Sequence, residues 1–133
     1  MTLDEQSRRN LIRHRIKKAY DTVHEVEFLI QNNMRIIAVN RIYYGMFYAL
    51  SALALEHQFI TSKHAQLIGW FNKNFIKNSK LERKFGQFLR DAFDNRSRGD
   101  YDDWIEFSKD EVIMLFEEMK EFIREMDKLI QMK

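Results

Sequence analysis

The chain has 133 residues, 45% of them hydrophobic and 32% charged, with no cysteine, no proline and a formal net charge of +2. That length predicts one domain over 1–133, able to bury roughly 68% of its unfolded surface. Without cysteine, neither a disulfide scaffold nor a thiolate metal site is possible, as suits a reducing cytoplasm, and without proline nothing interrupts long helices.

The N-terminal stretch to Arg15 is polar, with no apolar core of the kind a secretory signal needs. The most apolar stretch, Ile36 to Leu55, is interrupted by Asn40-Arg41, which leaves 14 uninterrupted residues from Ile42. A bilayer needs about 20. The expectation is a soluble, cytoplasmic protein with no membrane association. Charge is unevenly placed. Arg8, Arg9, Arg13, Arg15, Lys17 and Lys18 form a wholly basic run, residues 73–98 are also predominantly basic, and the segment from Asp100 to Asp127 is strongly acidic. Basic and acidic helices packed side by side account for this, as does a basic groove for an anionic partner.

Ile12, Ile16, Ala19, Val23, Val26 and Ile30 alternate spacings of four and three, which predicts a first helix from about Leu3 to Asn32, with Asp4 near its start. A second helix, about Met34 to His57, is apolar nearly all round and so belongs at the centre. Thr61-Ser62 reads as the N-cap of a third helix, from Lys63 to about Lys77, which Asn78-Ser79 breaks. A fourth runs from Leu81 to about Arg96, followed by a turn at Gly99 and an acidic loop. The last extends from about Trp104 to Gln131 on a seam of Val112, Leu115, Met119, Phe122, Met126 and Leu129. No alternating strand pattern occurs. The predicted fold class is all-α: an antiparallel up-and-down helical bundle with a four-helix core and about five helices. Phe116, Ile123 and Ile130 widen the last apolar face beyond that seam, which makes a helical homodimer an expectation.

Few constellations could carry chemistry. A di-iron bundle needs two Glu-x-x-His pairs, and Asp21-x-x-His24 stands alone, so neither metal nor cofactor is expected. The glycines are scattered, which excludes a phosphate-binding Gly-rich loop; Gly45, Gly69 and Gly86 fall inside helices and read as close-packing positions. No Ser/His/Asp set is apparent, and Ser62 with His64 reads as a cap and a first-turn residue. The richest polar cluster is Asn95-Arg96-Ser97-Arg98-Gly99-Asp100-Tyr101-Asp102-Asp103. On the second helix Arg41, Tyr44 and Tyr48 share a face, one guanidinium with two phenols. A buried arginine needs a partner. Arg41 either pairs with an acid such as Asp94 or Asp100, fixing the bundle's register, or contacts a phosphate at the bundle mouth.

Four blocks in order carry a resemblance: Asn40-Arg-Ile-Tyr-Tyr-Gly-Met-Phe-Tyr48, Ser62-Lys-His64, Phe71-Asn-Lys-Asn-Phe75 and Arg96-Ser-Arg-Gly-Asp-Tyr101. From about Ala38 onward the chain resembles HEPN-domain proteins, most closely the small stand-alone prokaryotic ones. The resemblance implies a helical bundle, usually a homodimer, often paired with a minimal nucleotidyltransferase in a toxin–antitoxin or stress system. Many HEPN proteins are metal-independent endoribonucleases in which an arginine binds phosphate and a histidine four to six residues later assists attack by the 2′-hydroxyl. Arg96 matches that arginine, but Ser97 to Asp102 contain no histidine. An aspartate there is a weak base and repels phosphate. Tyr101 resembles a tyrosine that partner nucleotidyltransferases adenylylate in one branch of the family. The expected function is therefore a non-catalytic module that binds RNA, nucleotide or protein through Arg41, Tyr44, Arg96, Arg98, Asp100 and Tyr101. The alternative is an endoribonuclease with a degenerate site, in which Arg96 works with His64.

Overall fold

A computed structural model describes residues 4–131. The elements are α1 (Glu5–Gln31), α2 (Arg35–Glu56), α3 (His64–Phe71) continued by a π-wound segment (Asn72–Ile76), α4 (Arg83–Tyr101) and α5 (Lys109–Gln131). There are no strands among the described residues. The proposed helix start at Leu3 lies outside them. Asp4 is the N-cap of α1, its carboxylate accepting the Ser7 amide at 2.8 Å.

Four helices run up, down, up, down. Arg8 at the start of α1 meets the end of α2, and Asn40 near the start of α2 meets Asp100 near the end of α4. Lys84 early in α4 pairs with Glu121, just past the middle of α5. Helix α2 packs against each of the other three long helices, so it buries residues all round: Ile42, Tyr43, Met46, Leu50 and Leu53 are inaccessible or nearly so. Burying each such side chain contributes roughly 1.5–3 kcal/mol. By length and hydropathy this helix could cross a membrane, but most of it is enclosed by the bundle. At Gly45 of α2 a Cβ would displace the Met119 methyl of α5 and stand 3.3 Å from Thr22 of α1. Glycine lets the helices close there.

The α1–α2 and α2–α3 junctions are built alike. Asn33 and Gln58 take the left-handed conformation (φ 58° and 60°), and the next amide reaches back five residues, Met34 to Leu29 and Phe59 to Ala54. This is the Schellman ending usually made by glycine. A third left-handed residue, Ser79, ends the π-wound segment where the sequence pattern broke.

Four expectations need correction. Gly99 is not a turn: α4 continues through it to Tyr101, and the helical bonding extends to Asp102, whose amide donates to Arg98 O at 2.9 Å. The last helix starts at Lys109, not Trp104, with Ser108 Oγ accepting the Glu111 amide. Thr61 does not cap α3 directly; its hydroxyl accepts the Lys63 amide one residue before the helix begins. Phe116, Ile123 and Ile130 are buried inside the protomer against the bundle, so they supply no dimer face. The basic run in α1 is largely absorbed by the protomer as well. Arg9 pairs with Glu5 and with the buried Glu56, Lys17 pairs with Asp21, and Lys18 lies over the Tyr48 ring.

Candidate functional site

Three helices meet at a polar cluster. From α2 come Tyr43, Tyr44 and Phe47; from the first turn of α3, His64; and from the last turns of α4, Arg96 and Asp100. Tyr43 and Phe47 are one helical turn apart, and His64 stacks on Phe47 with ring centroids 4.0 Å apart at 13°. Its Nδ1 lies 2.7 Å from the Tyr43 hydroxyl. The His64 pKa is lowered, first by burial and then by the positive charge of Arg96, which favours a neutral imidazole. Burial pushes the Tyr43 phenol strongly up, so it keeps its proton.

Arg96 is held from three sides. One of its terminal nitrogens donates to the Tyr44 hydroxyl at 3.0 Å, and its guanidinium lies 5.5 and 5.4 Å from the Tyr43 and Tyr44 ring centroids. Its Nε is 3.0 Å from an Asp100 carboxylate oxygen, an ion pair whose angle is too poor for a hydrogen bond. Asp100 also accepts from Asn40 at 3.4 Å. The cluster thus gathers a cation, a carboxylate, an imidazole and a phenol; rings flank Arg96 and His64, and Asp100 is held by Arg96 and Asn40.

Of the candidate residues, Tyr44, Arg96, Asp100 and His64 come together. Arg41 sits one turn before Tyr44 with its guanidinium 5.7 Å from that ring, and it completes the predicted face with Tyr48, donating to its hydroxyl at 3.5 Å. Its acid partner is neither Asp94 nor Asp100 but Glu25 of α1, at 2.7 Å. The reason is positional: α1 lies tightly along α2, and Asp100 is already taken by Arg96. Arg98 and Tyr101 point elsewhere. Two residues of helix turn the chain by about 200°, so Arg98 projects away from Arg96 and reaches Asn95 at 3.5 Å. Tyr101 is 82% exposed. Tyr43 and Phe47, which position His64, were not among the expected residues. Their signal was present as two aromatics at helical spacing on the helix that carries Tyr44. Among the described residues no three of His, Asp and Glu converge as a metal site would require.

An all-α bundle with an arginine and aromatic cluster between its second, third and fourth helices defines the class. The chain belongs to the HEPN family, whose domain model matches residues 12–129. It is 33% identical to a UPF0332 protein of Thermotoga maritima over 115 residues, covering 86% of this chain and 87% of that one. It is 32% identical to a Methanocaldococcus jannaschii protein named "Putative toxin MJ0142", covering 86% of this chain and 78% of the relative. A second protein of that organism, "Putative toxin MJ0605", is 28% identical over 86 residues, 65% of this chain and 64% of the relative.

Proposed function

We propose that this HEPN protein is a toxin-related module that binds RNA at the cluster between α2, α3 and α4 without cleaving it. One observation carries the reading: His64, Tyr44 and Arg96 arrive from three helices at one half-buried place and are fixed there by Tyr43, Phe47 and Asp100. A guanidinium with aromatic rings beside it offers a phosphate contact and a stacking surface together. Arg96 shares its charge with Asp100, which suits recognition better than stabilising a transition state. The same proposal makes Tyr101 the residue a nucleotidyltransferase partner reaches, since its side chain is 82% exposed. It also includes a homodimer, for which the exposed Ile36, Ile37 and Ile113 offer apolar surface.

A second reading is favoured by the closeness of the neutral His64 imidazole to Arg96, an acid–base and phosphate-binding pair supplied by different helices instead of one motif. The two readings differ in the tautomer. If the Tyr43 hydroxyl donates to Nδ1, Nε2 carries the proton and is a donor for an anion. If Nδ1 carries the proton, Nε2 is free to act as a base. Incubation of the purified protein with end-labelled RNA tests both: a mobility shift with full-length RNA, weakened by Arg96→Ala and His64→Ala, is expected. Cleavage that both substitutions abolish would overturn the non-catalytic reading.

A further inference from the structure

A second feature of the same face lies outside the cluster. The π-wound segment and α3 face α4 across a groove in two continuous stretches. One, of about 460 Å³, is edged by Lys73, Lys77, Arg83 and Arg90. The other, of about 390 Å³, runs between Ala65 and Ile68 on one side and Phe93 and Asp94 on the other. They share Gly69, Asn72, Gly86 and Arg90, so they form one channel. Its inner end abuts the cluster: Ala65 follows His64 in the chain, and the Phe93 ring stands edge-on 5.5 Å from Tyr43.

The electrostatics of the channel are one-sided. Lys73, Lys77, Arg83 and Arg90 are exposed, and none is ion-paired among the described residues. Of the lining residues only Asp94 carries a carboxylate. Half of the bases of residues 73–98, Lys73, Lys77, Arg83 and Arg90, therefore edge one groove. The two glycines differ in what they do. At Gly86 a Cβ would come within 3.3 Å of Asn72 and Ile76, so glycine sets how closely α4 approaches the π-wound segment. At Gly69 a Cβ would meet nothing within 4 Å, so the floor of the channel is open there. From Arg83 to Arg96, α4 rises about 20 Å at 1.5 Å per residue, enough for several nucleotides.

We propose that a single-stranded RNA segment lies along the α3–α4 channel, its phosphates on Lys73, Lys77, Arg83 and Arg90, and reaches the His64–Arg96 cluster at the Phe93 end. This rests on the RNA-binding reading above and extends it from a point contact to a path. Phosphates arranged along a strand match unpaired cations spaced along a groove.

Gly69 permits a clean test, because a side chain there enters the channel without touching the core. Anisotropy titrations of a short fluorescein-labelled oligouridylate over a range of salt concentrations would compare wild type, Gly69→Glu, Gly69→Gln, the triple variant Lys73→Ala/Lys77→Ala/Arg90→Ala, Arg96→Ala and His64→Ala. Gly69→Glu is expected to weaken binding roughly tenfold and Gly69→Gln far less, with thermal midpoints at or above wild type for both. The triple variant should lower the slope of log K against log salt by about 2, at 0.7 per single-strand phosphate contact. Wild-type affinity in Gly69→Glu and the triple variant, with loss in Arg96→Ala, would overturn the path and leave the cluster reading intact. Loss in the channel variants, with wild-type affinity in Arg96→Ala and His64→Ala, would overturn the cluster reading instead. Displacement of the oligouridylate by polyglutamate at equal charge concentration would overturn RNA as the occupant in favour of an acidic polypeptide.

Discussion

The Tyr43 hydroxyl lies 2.7 Å from Nδ1 of His64, and this bond sets the orientation of an imidazole already stacked on Phe47 at the start of α3. It links the most buried aromatic of α2 to the one histidine of the cluster. Because Tyr43 is fully enclosed, the position of His64 depends on the core.

That coupling sets a pH dependence. Burial first, and then Arg96, lowers the His64 pKa from the ordinary value of 6.5, so the folded chain resists a proton that the unfolded chain accepts. The stability contributed by neutral His64 is present above about pH 6.5 and is lost as the pH falls through the folded-state pKa. The thermal midpoint of wild type should therefore fall more steeply between about pH 7.5 and pH 5 than that of His64→Gln. A difference between the two proteins that stays constant across this range would show that His64 titrates as it does in solvent.

Asp100 competes with any phosphate for Arg96, since their charged atoms stand 3.0 Å apart. Asp100→Asn removes the competitor and keeps the size. The expected result is a loss of about 0.5 kcal/mol of stability, as for a helical i,i+4 pair, together with tighter RNA binding and a salt slope steeper by about 0.7. Unchanged affinity and slope would mean that Arg96 serves only to tie α4 to Tyr44.

The bundle was legible because its seams repeat. Val112, Leu115, Met119, Phe122 and Met126 sit on one face by spacing alone, and all are buried. The family was legible through short blocks carrying rare residue types in fixed order. What failed was local. Gly99 with its polar neighbours carries the signature of a turn, but Phe107 and Ile36 pack against that turn of α4 and hold it helical, which is tertiary information. The partner of Arg41 failed for a related reason, because Glu25 lies sixteen residues away and is brought close only by the way α1 lies along α2. His64 could be located on a helix from sequence, but its bond to Tyr43 could not, since no spacing rule links residues on different helices.

Gly99 gives a direct test of the corrected end of α4. An added Cβ would meet Phe107 at 3.5 Å and Ile36 at 3.6 Å, ordinary contact distances, and the residue's φ is not positive. Gly99→Ala should then stabilise the protein by about 0.5–1 kcal/mol, the usual gain of alanine over glycine inside a helix. A turn at this position would reverse the sign, so destabilisation measured by urea unfolding would restore the loop.

The basic run at the N-terminus admits two roles, and Arg8 separates them. It is only 7% exposed, and one terminal nitrogen donates to the carbonyls of Leu55 at 3.3 Å and Glu56 at 3.2 Å, the last turn of α2. They lie at the C-terminal end of α2, where Leu55 O also accepts the Gln58 amide at 2.9 Å. A guanidinium there closes the helix end, favours its negative pole and helps to neutralise the buried segment around Glu56. Removing it takes away charge-assisted hydrogen bonds at a buried helix end, which costs about 2–3 kcal/mol. Arg13, in the same run, is exposed and bonds Asn10 within its own helix. Urea unfolding should give Arg8→Ala a loss of about 2–3 kcal/mol and Arg13→Ala one within about 0.5 kcal/mol. RNA affinity should be nearly the same in both. Equal small losses of stability accompanied by a drop in RNA affinity for Arg8→Ala would reassign this run from holding α2 in place to binding an anion.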